Sequence, residues 1–155
     1  MTIDIGTIFP KLKHELTYLV NMNSEEYICD QLVKNGFKVY KIDGGKIFNE
    51  QSFFEEAAKG LKFPDYFGHN WDAFDECICD YVFDETSGPA TIIIRDADKL
   101  AKTNLQLFLD IMKVLVEWMF TYRYGINLKS GKVEFKSIQV ELFLTGSRVE
   151  FKEVG

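Results

Sequence analysis

The stretch FPDYFGHNWDAFDECICD, residues 63–80, sets an aromatic-rich, glycine-broken turn directly before a segment with no lysine or arginine. Lys62 is the last such residue before Arg95. Between them stand Asp65, Asp72, Asp75, Glu76, Asp80, Asp84 and Glu85. The whole chain carries 18 basic and 24 acidic residues, a formal charge of −6. Those seven acids therefore leave 18 against 17, or +1, for everything else. The negative charge is concentrated in one segment, and the spacing shows how it is displayed. Trp71, Phe74, Ile78 and Tyr81 or Val82 recur at three and four, the stripe that packs a helix onto a sheet. Asp72, Asp75, Glu76, Cys79 and Asp80 share the opposite side.

Like charges at that spacing cost an isolated helix about 0.2–0.5 kcal/mol per pair. The positive end of the helix dipole offsets part of this at Asp72 and none of it at Asp80. A positively charged partner would remove the cost. A merely solvated face, with Tyr66, Phe67 and Trp71 as ordinary core aromatics, is the competing reading. Against it stands the one-sided charge, since solvated faces usually mix signs.

Outward from this stretch the chain alternates strands and helices. Residues 24–34 form a helix, with Ser24 as its cap and Glu25 and Glu26 at its positive end. Residues 37–43, FKVYKID, alternate as a strand and break at Asp43-Gly44-Gly45. An amphipathic helix over 49–61 carries Phe53, Phe54, Ala57, Ala58 and Leu61 and stops at Pro64. The acidic helix spans roughly 70–83. ATIIIRD, 90–96, is a continuous β-branched run that suits a central strand buried on both faces. A long helix over about 104–120, a polar connection and a last core strand over 137–146 follow. KVEFK (132–136) and RVEFK (148–152) echo one another as solvent-facing strands do. The pattern predicts one α/β domain with a small, mostly parallel sheet flanked by helices.

Composition narrows the function. Hydrophobic residues make up 46% of the 155, enough for one substantial core and too many for a disordered acidic tail. An acidic chain is a poor nucleic-acid binder, because phosphate contacts need clustered lysine and arginine. It is expected to meet a basic protein instead. No signal peptide is read at the N-terminus, and the apolar stretch 105–120 is interrupted by Asp110, Lys113 and Glu117, so no membrane span is expected. Three cysteines, an odd number, point to reduced thiols and a cytoplasmic home. Zinc held by His69, Cys77 and Cys79 lacks the usual cysteine spacing, and no cofactor is expected. Asp72 with Glu76 would make a carboxylate pair for hydrolysis or a divalent ion, but a general acid needs an apolar pocket and phosphoryl transfer needs nearby cations. His69 is either a base or simply a polar residue near a helix start. No phosphate loop, G-x-S-x-G or H-E-x-x-H pattern occurs.

The stretch resembles the core motif of barstar-like proteins, intracellular inhibitors of secreted bacterial ribonucleases. Pro64, Asp65, Tyr66, Phe67, Gly68, Asn70, Asp72, Ala73 and Cys77 fall in register with it without a gap. The resemblance implies a three-layer barstar-like domain over 37–147, with residues 1–36 as an N-terminal extension packed on it and 148–155 as a C-terminal strand or tail. It implies an immunity-type inhibitor whose acidic helix plugs the basic active site of a ribonuclease or nuclease toxin. Asp72 then falls on an acidic contact, Glu76 on the family's dominant aspartate and Tyr66 on the turn tyrosine, while Glu117 is either a further acidic contact or simply a helix-surface glutamate. Asn70 shapes the turn or caps the helix. Phe67, Gly68, Trp71, Asp75 and Asp80 complete the expected partner-binding set. Two positions depart from the pattern: Asp75 stands where the best-known members have an interface tryptophan, and Trp71 where they have leucine. Either the aromatic anchor has moved by one turn or the partner differs. A docking module without inhibitory role is the alternative that the fold leaves open.

Overall fold

The structure, a computed structural model, describes residues 3–13, 15–83, 88–125 and 138–154. Asp84, Glu85, the strand expected over 132–136 and most of the connection after Tyr124 lie outside the described residues. In chain order the elements are α1 (Ile5–Ile8), β1 (Thr17–Asn21), α2 (Glu25–Lys34), β2 (Lys38–Asp43), α3 (Glu50–Gly60), α4 (Trp71–Ile78), β3 (Ala90–Arg95), α5 (Ala97–Thr103), α6 (Leu105–Tyr124) and β4 (Val140–Gly146). The four strands form one sheet in the order β1-β4-β3-β2, and every pairing is parallel.

Side-chain alternation in the strands divides the core in two. Tyr40, Ile42, Ile92, Ile94, Leu142 and Leu144 point to the face covered by α3, α4, α5 and α6. Tyr18, Val20, Ile93 and Phe143 point to the opposite face, where Ile5 of α1 and Ile28 and Leu32 of α2 cover them. The run Ile92-Ile93-Ile94 is thus buried on both sides, as its continuous β-branched character requires. The arrangement is α/β in three layers.

The sheet holds a strand that the sequence reading did not single out. Thr17–Asn21 pairs along its whole length with Val140–Gly146, so part of the segment before residue 37 belongs to the sheet itself. Ser24 stands at the start of α2 but makes no capping bond; its hydroxyl accepts the Val154 N–H at 2.9 Å instead. RVEFK is not an extended strand. Phe151 N–H closes a turn onto the Arg148 carbonyl, and only Lys152 bridges to Val20.

Two helices differ from their expected lengths. The acidic segment is α-helical over Trp71–Ile78 and continues over Cys79–Phe83 as a π-helical turn. The long helix runs one turn past Phe120 to Tyr124, where Gly125 adopts the left-handed conformation (φ 69°) that ends it. Gly60 brings the last turn of α3 against β2. A Cβ there would collide with the Lys41 carbonyl. That close approach seats the end of α3 against β2, just before the turn into α4.

Candidate protein-binding face

The turn into α4 is built from local bonds. Lys62, just past the end of α3, takes a left-handed conformation (φ 58°), and Phe67 N–H closes a turn onto the Pro64 carbonyl at 3.0 Å. Phe67 points inward, 6% exposed, edge-on to Phe54 and tilted against Phe63. It supports the turn from beneath. His69 is exposed in a left-handed conformation (φ 52°), its ring against Phe67 at 5.0 Å. Asn70 is the N-cap of α4. Its backbone is extended, its side-chain oxygen accepts the Ala73 N–H at 2.8 Å, and its amide donates to the Gly68 carbonyl at 3.2 Å. One residue thus satisfies an orphan donor of the helix and closes the glycine turn.

From that cap the helix divides as its spacing predicts. Phe74, Cys77 and Ile78 are buried, and Val82 and Phe83 extend the buried side through the π-helical turn. Trp71 is half-buried. Its indole stacks on Phe53 at 5.4 Å, meets Phe54 edge-on at 5.2 Å, and donates its N–H to Glu50 at 3.0 Å. All of these partners belong to α3.

Asp72, Glu76 and Asp80 are exposed at four-residue steps. Among the described residues none of the three side chains has a hydrogen bond or ion pair. Their carboxylates stand in solvent with their acceptor capacity unspent. Asp75 is different. It is half-buried, and its carboxylate accepts the indole N–H of Trp118 on α6 at 2.8 Å. Glu117, the residue before Trp118, is exposed. Tyr66 is 72% exposed, and its hydroxyl is bonded to that of Tyr81 in the π-helical turn. That hydrogen bond, then desolvation, pushes its phenol up to about 12.

The structure therefore brings Tyr66, Asp72, Glu76 and Asp80 to the surface of one turn and one helix, with Glu117 on the helix that Asp75 touches. It sets Phe67 beneath that surface, Trp71 against α3 and Asn70 in the cap. Trp118 and Glu50 were not singled out from the sequence, and Tyr81 was read there only as a candidate for the buried stripe. Trp118 lies 43 residues from its acceptor and Glu50 lies 21 from Trp71, so no local pattern marks either pair.

Cys29, Cys77 and Cys79 form no disulfide among the described residues. Burial raises the thiol pKa of both Cys29 and Cys77. Among the described residues no group of three or more His, Cys, Asp or Glu is arranged to hold a metal ion. No described helix is long and apolar enough to cross a membrane.

No curated protein matches the chain. A family model described as Barstar (barnase inhibitor) does, over residues 37–133. The match begins just before β2, takes in the turn, α4 and α6, and leaves β1, α2 and β4 outside it. It covers more than half of the chain, and on that ground the protein belongs to the barstar family.

Proposed function

We propose that this protein is a stoichiometric inhibitor of the immunity or antitoxin type, which closes the basic active site of a ribonuclease with α4. Membership of a family of barnase inhibitors supports a ribonuclease as the partner in general terms. The observation that carries the finer reading is the set Asp72, Glu76 and Asp80, exposed and without partners among the described residues, on a helix fixed by Asn70. A ribonuclease site must be basic to grip phosphates, and carboxylates on a preorganised helix occupy it without losing flexibility on binding. Tyr66 supplies an aromatic wall beside them, held in place by Tyr81. The cytoplasm is the compartment in which such self-protection operates and in which free thiols persist.

Opposite charge steers association toward about 10⁸–10⁹ M⁻¹s⁻¹ at low salt, and truncating one partner of a buried charge pair costs on the order of 2–5 kcal/mol, as charge-pair measurements on the barnase–barstar complex itself illustrate. The test is a titration of the protein into a barnase cleavage assay at low and high salt, beside the double variant Asp72→Lys/Glu76→Lys. One-to-one inhibition by the wild type, weakened by salt and abolished in the folded double variant, is the expected result. Equal behaviour of both proteins would mean that the acidic helix is not the contact. A pull-down from the source organism with the same pair then names the natural target. Recovery of identical non-nuclease partners by both would instead favour a docking module on the same fold.

A further inference from the structure

Asp75 lies between Asp72 and Glu76 in the acidic helix, yet its carboxylate is engaged inside the molecule. It accepts the Trp118 indole N–H from α6 at 2.8 Å. The indole packs on Tyr122 one turn later, with ring centroids 6.2 Å apart. Tyr122 packs in turn on Phe83 at 4.6 Å, at the end of the π-helical turn. The acidic segment is thereby tied to α6 at two points, Asp75 and Phe83. Glu76 and Asp80 lie between these ties and face solvent, and Glu117 sits exposed beside Trp118 on α6. Helix packing alone does not call for a carboxylate here. An apolar residue at 75 would cover the ring without the cost of desolvating a charge. What the carboxylate adds is direction, since a charge-assisted bond to a single N–H fixes the indole plane.

On the reading of α4 as the inhibitory face, we infer that Asp75 and Trp118 are a positioning pair. The Asp75 carboxylate does not meet the partner's cations; it sets the rotation of α6 against α4 so that Glu117 joins Glu76 in an acidic surface built from two helices. The class of partner follows: a protein whose basic groups are spread widely enough to engage both helices.

The test uses the full chain with Asp75→Asn, which keeps an oxygen acceptor but no charge, Asp75→Ala, which keeps neither, and Trp118→Phe, which keeps a ring but no N–H. Two probes are titrated, a labelled hexa-arginine peptide read by anisotropy and barnase read by inhibition. Asp75→Ala and Trp118→Phe are expected to bind the peptide about tenfold more weakly, a scale typical of losing one organising contact. Asp75→Asn is expected to restore binding to within about threefold with an unchanged salt slope, since the charge it removes is not in contact with the probe. Glu117→Gln should weaken the wild type and add nothing in the Trp118→Phe background, the signature of coupled residues. In Asp75→Ala the Trp118 indole proton should lose its downfield shift and exchange faster while that of Trp71 stays put.

Three outcomes overturn the proposal. Asp75→Asn as weak as Asp75→Ala, with a shallower salt slope, would make Asp75 a direct charge donor. Trp118→Phe binding like wild type would reduce the pair to packing. A wild type that ignores the peptide would remove the cation-binding face itself. A wild type that binds the peptide but does not inhibit barnase speaks against the barnase-type reading alone, and the peptide still decides the role of the pair.

Discussion

Trp71 and Glu76 sit on the same helix and illustrate how burial separates residues that the sequence lists side by side. Trp71 departs from the family pattern, and an anchor moved by one turn was one expectation for it. Its indole is instead stacked on Phe53 and bonded to Glu50, so its energy is spent on holding α4 to α3. Trp71→Ala should cost about 2–3 kcal/mol, at or just below the lower end for a fully buried large aromatic because one side is already wet. For a chain of this length that is roughly 4–12 °C in melting temperature. Glu76→Lys, by contrast, should unfold at nearly the wild-type temperature, because the side chain has no partner among the described residues to lose. Calorimetry of the two variants checks the contrast. A Trp71→Ala protein as stable as wild type, or a Glu76→Lys protein that does not fold, would reverse the assignment of the inner and outer faces of α4.

At the scale of elements, the pattern of three and four in 70–83 gave away the helix and its buried stripe, and the Asn70 cap was legible as one of two readings. The π-helical turn was not legible, because periodicity over five residues does not distinguish 3.6 from a wider turn. Nor was β1, whose parallel partner lies more than a hundred residues away and leaves no hairpin signature. Another long-range tie joins α5 to the end of β4. The Asp98 carboxylate accepts bonds from Lys99 N–H at 3.0 Å, Ser147 N–H at 3.0 Å and the Ser147 hydroxyl at 3.3 Å. Burial alone would raise its pKa, but these bonds outweigh burial and hold it below the ordinary value of 3.8. A carboxyl depressed in the folded state contributes stability that is complete above its unfolded pKa and is lost as pH falls through its folded one. Asp98→Asn, which cannot accept from Ser147 N–H through its nitrogen, should therefore be less stable than wild type near neutrality. The gap should close as the pH falls below 3.8. Urea melts at a series of pH values measure it, and a gap constant down to about pH 2 would mean that the bonds do not depend on the charge.

Across the whole molecule the two core faces are joined at the end of the sheet where β4 begins, by a buried charged group. Glu141 is 3% exposed in β4 and takes the Arg123 guanidinium at 2.9 Å and the Gln139 amide at 3.1 Å. Arg123 also donates to the Val140 carbonyl, and Gln139 bonds both the N–H and the carbonyl of Ile3, so one network links α6, β4 and the N-terminal segment. The strand was read as a core strand over 137–146, but this use of its glutamate was not legible. With the long helix expected to stop at 120, Arg123 fell in a polar connection and was not placed opposite the sheet. A buried ion pair is weak evidence of net stabilisation, because desolvation offsets much of the attraction, whereas removing one partner exposes the full cost. Arg123→Met should accordingly destabilise the protein by about 3 kcal/mol, the low end for such pairs because Gln139 still donates to Glu141. Adding Glu141→Leu removes the charge that needed an answer, and the double variant should recover most of that loss. Denaturant unfolding of the two single variants and the double decides it. A double variant no better than Arg123→Met would show that the network holds the N-terminal segment through its geometry rather than by answering a buried charge.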